Sequence, residues 1–401
     1  MKKWFSIFIA LLPFLYQYKS PVNGISFGEF ILLPFIAYFG LLEIRKNRIS
    51  NMYFCGLYAY LISALFVSLF SCFQIYFSFG NFITVAVRIL YYAVLTYVAI
   101  KHADLCKLLR TIEVAAIIFS AYALVQYFMH LSLGVILPTV INKSLVFAPE
   151  AGFRLDYENY YRWLYRPSSL FIEASYFASY VSVGLASFLF DKNTTKRTLM
   201  GLFITIALVA GASSAGFVLF ILMWSVYVYC NILNSSESKA KKYLFVAGVL
   251  VSIVFILTSD LAAGLLDRTV SGASFNNRIV RTFLLLKSMN PFQLLFGVGI
   301  NNVDNYVRYN GLYTVFDEDN LNYVSSVMGT LLCSGIITFI LYLRFYFKAF
   351  FFQKNNLSRS LVLLLFFNSL IGNTSYSYSF FFVAIIILLA NKRSYEERKL
   401  R

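Results

Sequence analysis

Residues 166–190 read RPSSLFIEASYFASYVSVGLASFLF. Arg166 and Glu173 stand seven residues apart at the mouth of a run apolar enough to be a membrane helix. Both charges are costly there. Pro167 followed by Ser168 and Ser169 predicts a helix start, since proline suits the first turn and serine caps free backbone donors. The expected span is 170–190, with Glu173 about one turn inside it. Ala174, Ala178, Ser182 and Ala186 recur every four residues. Such a stripe lets a neighbouring helix approach closely, which turns Glu173 toward the protein interior. Arg166 and Glu173 either form a local pair that fixes the preceding loop or serve a site. Ionisable residues inside a membrane favour the second reading.

The rest of the chain agrees with a membrane setting. Of 401 residues, 60% are hydrophobic and 13% charged, and mean hydropathy is +0.71. A soluble chain would be about a quarter charged. Phe and Tyr number 43 and 30, an aromatic load that suits membrane interfaces and the walls of binding sites. The expected class is all-α, a polytopic integral membrane protein. KKWFSIFIALLPF near the start resembles a signal peptide, but no small-residue cleavage site follows and another apolar segment comes soon after. It is read as an uncleaved first span.

A bilayer core needs about 20 apolar residues per helix. That ruler predicts about twelve spans: 4–18, 25–42, 52–73, 82–100, 112–130, 170–190, 198–212, 216–233, 243–259, 323–343, 360–373 and 376–390. Only SSAG separates the seventh from the eighth, and a short polar patch separates the last two, so these pairs are tight hairpins or partly re-entrant. With the N-terminus inside, 23 of the 34 Lys and Arg fall in the short inner segments, 10 in the much longer outer ones, and Arg88 within a span. The positive-inside rule then puts both termini in the cytoplasm. Two long periplasmic loops are expected, 131–169 and 260–322, within a single transmembrane domain 1–401. Loops of that length are usually functional or disordered, and these two are not low-complexity. No internal repeat is visible, which argues against a transporter built from inverted halves.

The net charge of +16 does not imply nucleic acid, because the basic residues lie between apolar spans. The five cysteines include no CxxC pair, and the two long loops contain none, so neither a disulfide nor a thiol metal site is expected. His102 and His130 lie far apart, so no histidine metal site is expected.

In the second loop, NNRIVRTFLLLKSMNPF (276–292) predicts an amphipathic helix ended at Asn290–Pro291. Arg278 and Arg281, three apart, share a face. They either aim two guanidiniums at a phosphate, which arginine binds bidentately, or anchor the helix to lipid headgroups. In LLFGVGINNVDNY, Gly297 and Gly299 allow a positive-φ turn. FDEDNLNY offers Asp319 as a general base with Asn320 beside it, or simply a solvated helix start. Arg88 lies about six residues into the fourth span, roughly 9 Å deep at 1.5 Å per residue, and needs a partner; Glu173 or a bound anion are candidates. The arginines 88, 166, 278 and 281, with Glu173 and Asp319, describe an anion-binding mouth with acid/base groups on the outer side.

These stretches resemble a known family. RPSSLFIEASYFASY is similar to the R-x-x-G-L-F-x-E-P-S-x-F-A pattern of bacterial O-antigen and capsule polymerases (Wzy-type). NNRIVRTF, LLFGVGINN and DNLNYVSSVMGTLLCSGIITFIL follow in that family's order, which it shares with the O-antigen ligases. Ala174 stands where proline is common, Ser168 and Ser169 where glycine is common, and SSAG lacks the family's arginine. Asp319 stands where ligases carry histidine, which favours the polymerases. The resemblance implies a glycosyltransferase at the periplasmic face of the bacterial inner membrane. Its donor and acceptor would be undecaprenyl-pyrophosphate-linked glycans in membrane lipid, with a chain-length regulator as a possible partner. Neither metal nor nucleotide cofactor is implied. Arg88, Arg166, Arg278 and Arg281 would bind pyrophosphate, and Glu173 or Asp319 would be the base. Gly297, Gly299 and Asn320 would shape the loop. Tyr160, Tyr161 and Trp163 are candidate sugar-stacking walls. An O-antigen ligase and a flippase of lipid-linked sugars are the alternatives.

Overall fold

A computed structural model describes residues 1–44, 56–141, 145–147, 165–191, 195–230, 281–312, 324–351, 355–373 and 376–399. These residues form fourteen α-helices and, apart from two isolated bridges, no β-structure. In order they are α1 (Lys2–Leu15), α2 (Phe27–Ile44), α3 (Leu57–Phe70), α4 (Phe79–His102), α5 (Leu105–Leu133), α6 (Ala174–Phe190) and α7 (Thr195–Ala210). There follow α8 (Ser214–Val228), α9 (Arg281–Ser288), α10 (Pro291–Phe296), α11 (Val303–Tyr309), α12 (Ser326–Phe351), α13 (Asn356–Ile371) and α14 (Tyr378–Lys399). Helices stand at eleven of the twelve places where apolar runs predict spans; the ninth, 243–259, lies outside the described residues. Among the described residues four helices, α2, α4, α5 and α12, are long and apolar enough to cross a membrane. Several others are apolar but shorter, such as α8 with 15 residues and α13 with 16. A 16-residue helix reaches about 24 Å, against a hydrocarbon core of about 30 Å.

The helix boundaries follow from local chemistry more than from hydropathy. Helix α5 starts seven residues before the apolar run because Asp104 caps it, accepting from the Cys106 and Lys107 amides at 2.9 and 3.2 Å. It ends at Gly134, whose φ of 65° is left-handed. Helix α2 opens with a capping box. The Ser26 amide donates to Glu29 Oε2 at 2.9 Å, and the Glu29 amide donates to Ser26 Oγ at 3.2 Å. That capping explains a buried glutamate in an otherwise apolar helix.

The chain divides into two compact units. The first comprises Met1–Phe35 and Asp104–Val270, the second Ile36–Ala103 and Ser271–Arg401. In the first, α6 packs against α5, α7 and α8, and α1 lies on α5. Small residues set the approach. A Cβ on Gly184 would sit 2.5 Å from that of Ala116, and one on Gly216 would sit 3.0 Å from that of Ala178. All four members of the small-residue stripe, Ala174, Ala178, Ser182 and Ala186, are buried, as expected for a packing face. Phe14, Phe119, Phe171, Phe177 and Tyr180 stack at one end, and Tyr180 donates to the Ala10 carbonyl at 3.1 Å. Glu113, in the first half of α5, accepts from Arg197 in the first turn of α7 and, at 2.6 Å, from Ser187 Oγ in the last turn of α6.

In the second unit, α12 packs on α3, α10 and α13, while α14 packs on α13 and α4. Helix α12 is interrupted at Gly335, where φ is 66° and ψ −178°. The break releases carbonyls of the preceding turn. The Val298 amide donates to Leu332 O at 2.8 Å and the Gly299 amide to Cys333 O at 2.9 Å. Backbone lies directly on backbone here. A Cβ on Gly335 would fall 2.1 Å from Leu295 O, and one on Gly297 would fall 2.3 Å from Cys333 O. Gly297 and Gly299 both have positive φ, 79° and 95°, a conformation that glycine allows.

The described part of the expected loop 260–322 is therefore not an extended excursion. It folds as α9, α10 and α11, with Leu285, Met289, Val298, Val303 and Tyr306 buried in one cluster with Tyr76 and Leu332. The helix expected to end at Asn290–Pro291 ends at Ser288, because Asn290 caps the next helix. Its side chain accepts from the Gln293 amide at 2.8 Å, and Gln293 returns the bond at 2.9 Å.

Substitution of Gly335 or Gly297 by alanine should lower stability by more than about 2 kcal/mol, since it combines positive-φ strain with a backbone clash. Gly40 of α2 has open space around its Cβ position. In thermal unfolding of the detergent-purified protein, Gly40→Ala should stay at or above the wild-type midpoint while the other two fall by several degrees.

Candidate functional site

In the first unit, residues 165–173 form a strap without regular structure before α6. Ser168 and Ser169 do not start the helix, contrary to the expectation from sequence; Glu173 is its N-cap residue and α6 begins at Ala174. The cause is long-range hydrogen bonding. Gln126 Oε1 of α5 accepts from the Ser169 amide at 2.8 Å, and its Nε2 donates to Ser169 O and Pro138 O, both at 3.0 Å. Gln17, just past α1, donates to Leu170 O at 2.7 Å and accepts from the Ile172 amide at 3.1 Å. Ser168 Oγ closes a turn onto Phe171 O at 2.7 Å. Ser169 takes φ 56°, a left-handed conformation that the two glutamine bonds to its own peptide groups maintain.

The charged ends of this strap differ from expectation. Glu173 is exposed at the helix mouth and not turned inward, and its Oε2 accepts from Ser175 Oγ at 2.9 Å. There it sits at the positive end of the α6 dipole. Arg166 is half-buried at the other end. Next to it, the Tyr165 ring lies 4.2 Å from that of His130, one turn beyond Gln126 on α5. Across the same end, the Lys19 amide donates to Leu145 O and the Phe147 amide to Gln17 O, both at 2.7 Å. The described start and middle of the 131–169 loop are thus tied to the chain after α1. Tyr160, Tyr161 and Trp163 lie outside the described residues.

In the second unit, the Gly297–Asn302 loop is held as firmly. Asn302 is fully buried. Its Oδ1 accepts from the Ser78 amide at 2.7 Å and its Nδ2 donates to Ile300 O at 3.0 Å. Ser71 Oγ donates to Gly297 O at 3.1 Å, and the Ile300 amide donates to Ser68 Oγ at 3.3 Å. Asn301 (φ 59°) reaches the Asn81 carbonyl in the first turn of α4 at 3.2 Å. Arg88 is half-buried two turns further along α4. Gln293 Nε2 donates to the Tyr76 hydroxyl at 3.2 Å. Burial pushes the Tyr76 phenol up to about 12, so it remains a neutral hydroxyl at physiological pH. Arg281 is the first residue of α9, and Thr282, Leu285 and Met289 of that segment are buried while Phe283 and Leu284 are exposed.

Thus Arg166 and Glu173 share one strap in the first unit, and Arg88, Arg281, Gly297 and Gly299 belong to the second. Arg278, Asp319 and Asn320 lie outside the described residues. Gln17, Gln126 and Asn302 escape a search for charges, though a lone amide next to or within an apolar run was a usable signal. The Glu113–Arg197 pair and a second one, Glu43 Oε1 with His102 Nε2 at 3.1 Å under the stacked ring of Phe39, also lie outside the expected site. Among the described residues no three His, Cys, Asp or Glu side chains come together as metal ligands.

Asn302→Ala should cost about 2–3 kcal/mol, because it leaves buried backbone groups of Ser78 and Ile300 unsatisfied. The exposed Asn301→Ala, with one bond, should cost less than about 1 kcal/mol. Thermal unfolding of both purified variants checks the order. No protein-family model, no curated protein and no solved structure matches this chain.

Proposed function

We propose that this chain is a membrane glycosyltransferase that polymerises lipid-linked oligosaccharide repeat units into an O-antigen or a related surface polysaccharide. In this reading it resides in the bacterial inner membrane, with about twelve spans, cytoplasmic termini and the segments 131–169 and 260–322 on the periplasmic side. The observation that carries the reading is a pair of rigid, non-helical segments next to apolar helices. One is the Arg166–Glu173 strap, and the other is the Gly297–Asn302 loop that follows Arg281. These are also the stretches whose motifs resemble the polymerase family. A substrate with a lipid tail presents its phosphates at the level of the membrane surface, where ends of apolar helices lie.

The chemistry assigns each residue a role. Arg88, Arg166, Arg278 and Arg281 are the candidate ligands for the undecaprenyl pyrophosphate of the donor glycan. As the bond from the sugar anomeric carbon to the phosphate oxygen breaks, the pyrophosphate leaves with the electron pair, and guanidinium groups stabilise its growing charge. Glu173 or Asp319 takes the proton of the acceptor hydroxyl, whose oxygen forms the new glycosidic bond. The leaving group supplies the driving force, so no nucleotide is consumed. Aspartate in place of histidine at 319 favours polymerase over ligase.

Disruption of the gene followed by glycan gel electrophoresis tests this reading. The expected result is loss of the polymer ladder with one attached repeat unit retained. Loss of all attachment would instead indicate a ligase, and cytoplasmic accumulation of lipid-linked units a flippase. Arg278→Ala and Arg281→Ala should abolish the ladder while the protein still inserts; wild-type ladders would remove them from the site. Glu173→Gln should slow polymerisation by about 10²–10⁴-fold if this carboxylate is the base, and full activity would exclude it.

A further inference from the structure

The strap before α6 gets its shape from two glutamines that are remote in sequence. Gln126 is fully buried and Gln17 is 5% exposed. Each uses both ends of its amide on the strap backbone. Gln126 grips Ser169 through its amide and its carbonyl, and Gln17 bridges Leu170 O and Ile172 N. A buried amide is costly unless fully bonded, and here the bonds go to a segment that has no helix or strand partners of its own. Each position needs a donor and an acceptor on one planar group. A carboxylate supplies acceptors only, and a hydrocarbon supplies neither. Arg166 and Glu173 flank the clamped stretch on either side, so its backbone path sets how the guanidinium and the carboxylate are presented.

We propose that Gln17 and Gln126 are positioning residues that hold Arg166 and Glu173 in their working arrangement, acting through the strap backbone. The functional half of this inference rests on the polymerase reading; the structural half does not.

Two measurements on the full-length chain test it. The first is hydrogen–deuterium exchange in lipid nanodiscs, comparing peptides over 166–173 with peptides over 177–190. Gln126→Leu and Gln17→Leu should speed strap exchange by about tenfold or more, since a bonded buried amide is worth a kcal/mol or more. The α6 peptides should stay protected. The second measurement is the polymer ladder in a disrupted strain carrying each variant, where both leucine variants should lose it. Gln126→Glu supplies a readout that general destabilisation would not give. Its protonated acid carries one donor and one acceptor, and its ionised form carries acceptors only. Burial raises a carboxyl's pKa, so the competent form persists below that raised value and disappears as pH rises through it. Ladder and strap protection should therefore return on acidification in Gln126→Glu while the wild type stays flat over the same range. This variant also carries the test if the leucine variants fail to accumulate.

Unchanged strap exchange in both leucine variants would overturn the clamp. Fast strap exchange with a wild-type ladder would overturn the positioning role, as would a Gln126→Glu ladder that does not respond to pH. If the wild-type gene restores no ladder at all, the polymerase reading fails, and strap exchange still decides whether the amides hold the strap.

Discussion

Every peptide group in an apolar setting needs a hydrogen-bond partner, because an unsatisfied one costs several kcal/mol there. A helix meets this demand by itself. Among the described residues the chain departs from the helix next to apolar helices at three places where partners come from elsewhere. The break in α12 at Gly335 frees carbonyls that the Val298 and Gly299 amides fill. The strap 167–172 leaves its amides and carbonyls to Gln17, Gln126 and Ser168. The 300–302 turn hands its polar groups to Ser68, Ser78 and Asn302. Glycine appears where one backbone must touch another, at 297 and 335, since any side chain would overlap the facing carbonyl.

The same constraint sorts the charges. Glu29 completes a capping box, and Glu113 and Arg197 neutralise each other with Ser187 as a third partner. These groups are satisfied within the fold and stabilise it. Arg166 and Glu173 instead flank a rigid strap, and Glu173 is exposed at a helix N-terminus. Arg281 opens a helix that buries Thr282 and Leu285 and exposes Phe283 and Leu284. On the polymerase reading proposed above, a charge carried on backbone held in this way would need no reorganisation during reaction.

The helices were legible in the sequence to a large degree. Apolar runs mark where they occur, since burial from water is a property of composition over about twenty residues. G-x-G was legible in part: two glycines that close permit a tight or positive-φ backbone, and both take positive φ. Boundaries were less so, because caps such as Asp104 and Asn290 extend or divide helices beyond the apolar stretch. The stripe Ala174–Ala178–Ser182–Ala186 correctly marked a packing face, but it misled about Glu173, which precedes the helix and so does not share its face.

What the sequence determined by itself was the class: an all-helical chain with helices apolar enough to cross a membrane, and a few ionisable residues set near their ends. Local rules suffice for that, as hydropathy and capping act within a few residues. Only the tertiary structure decided where helices stop being helices. Gln17 and Leu170 are separated by more than a hundred residues, as are Ser78 and Asn302, and no local preference encodes such pairings. Pro167–Ser168–Ser169 favours a helix start by propensity, a matter of tenths of a kcal/mol to about one. Four bonds from two distant amides outweigh it and hold the strap open.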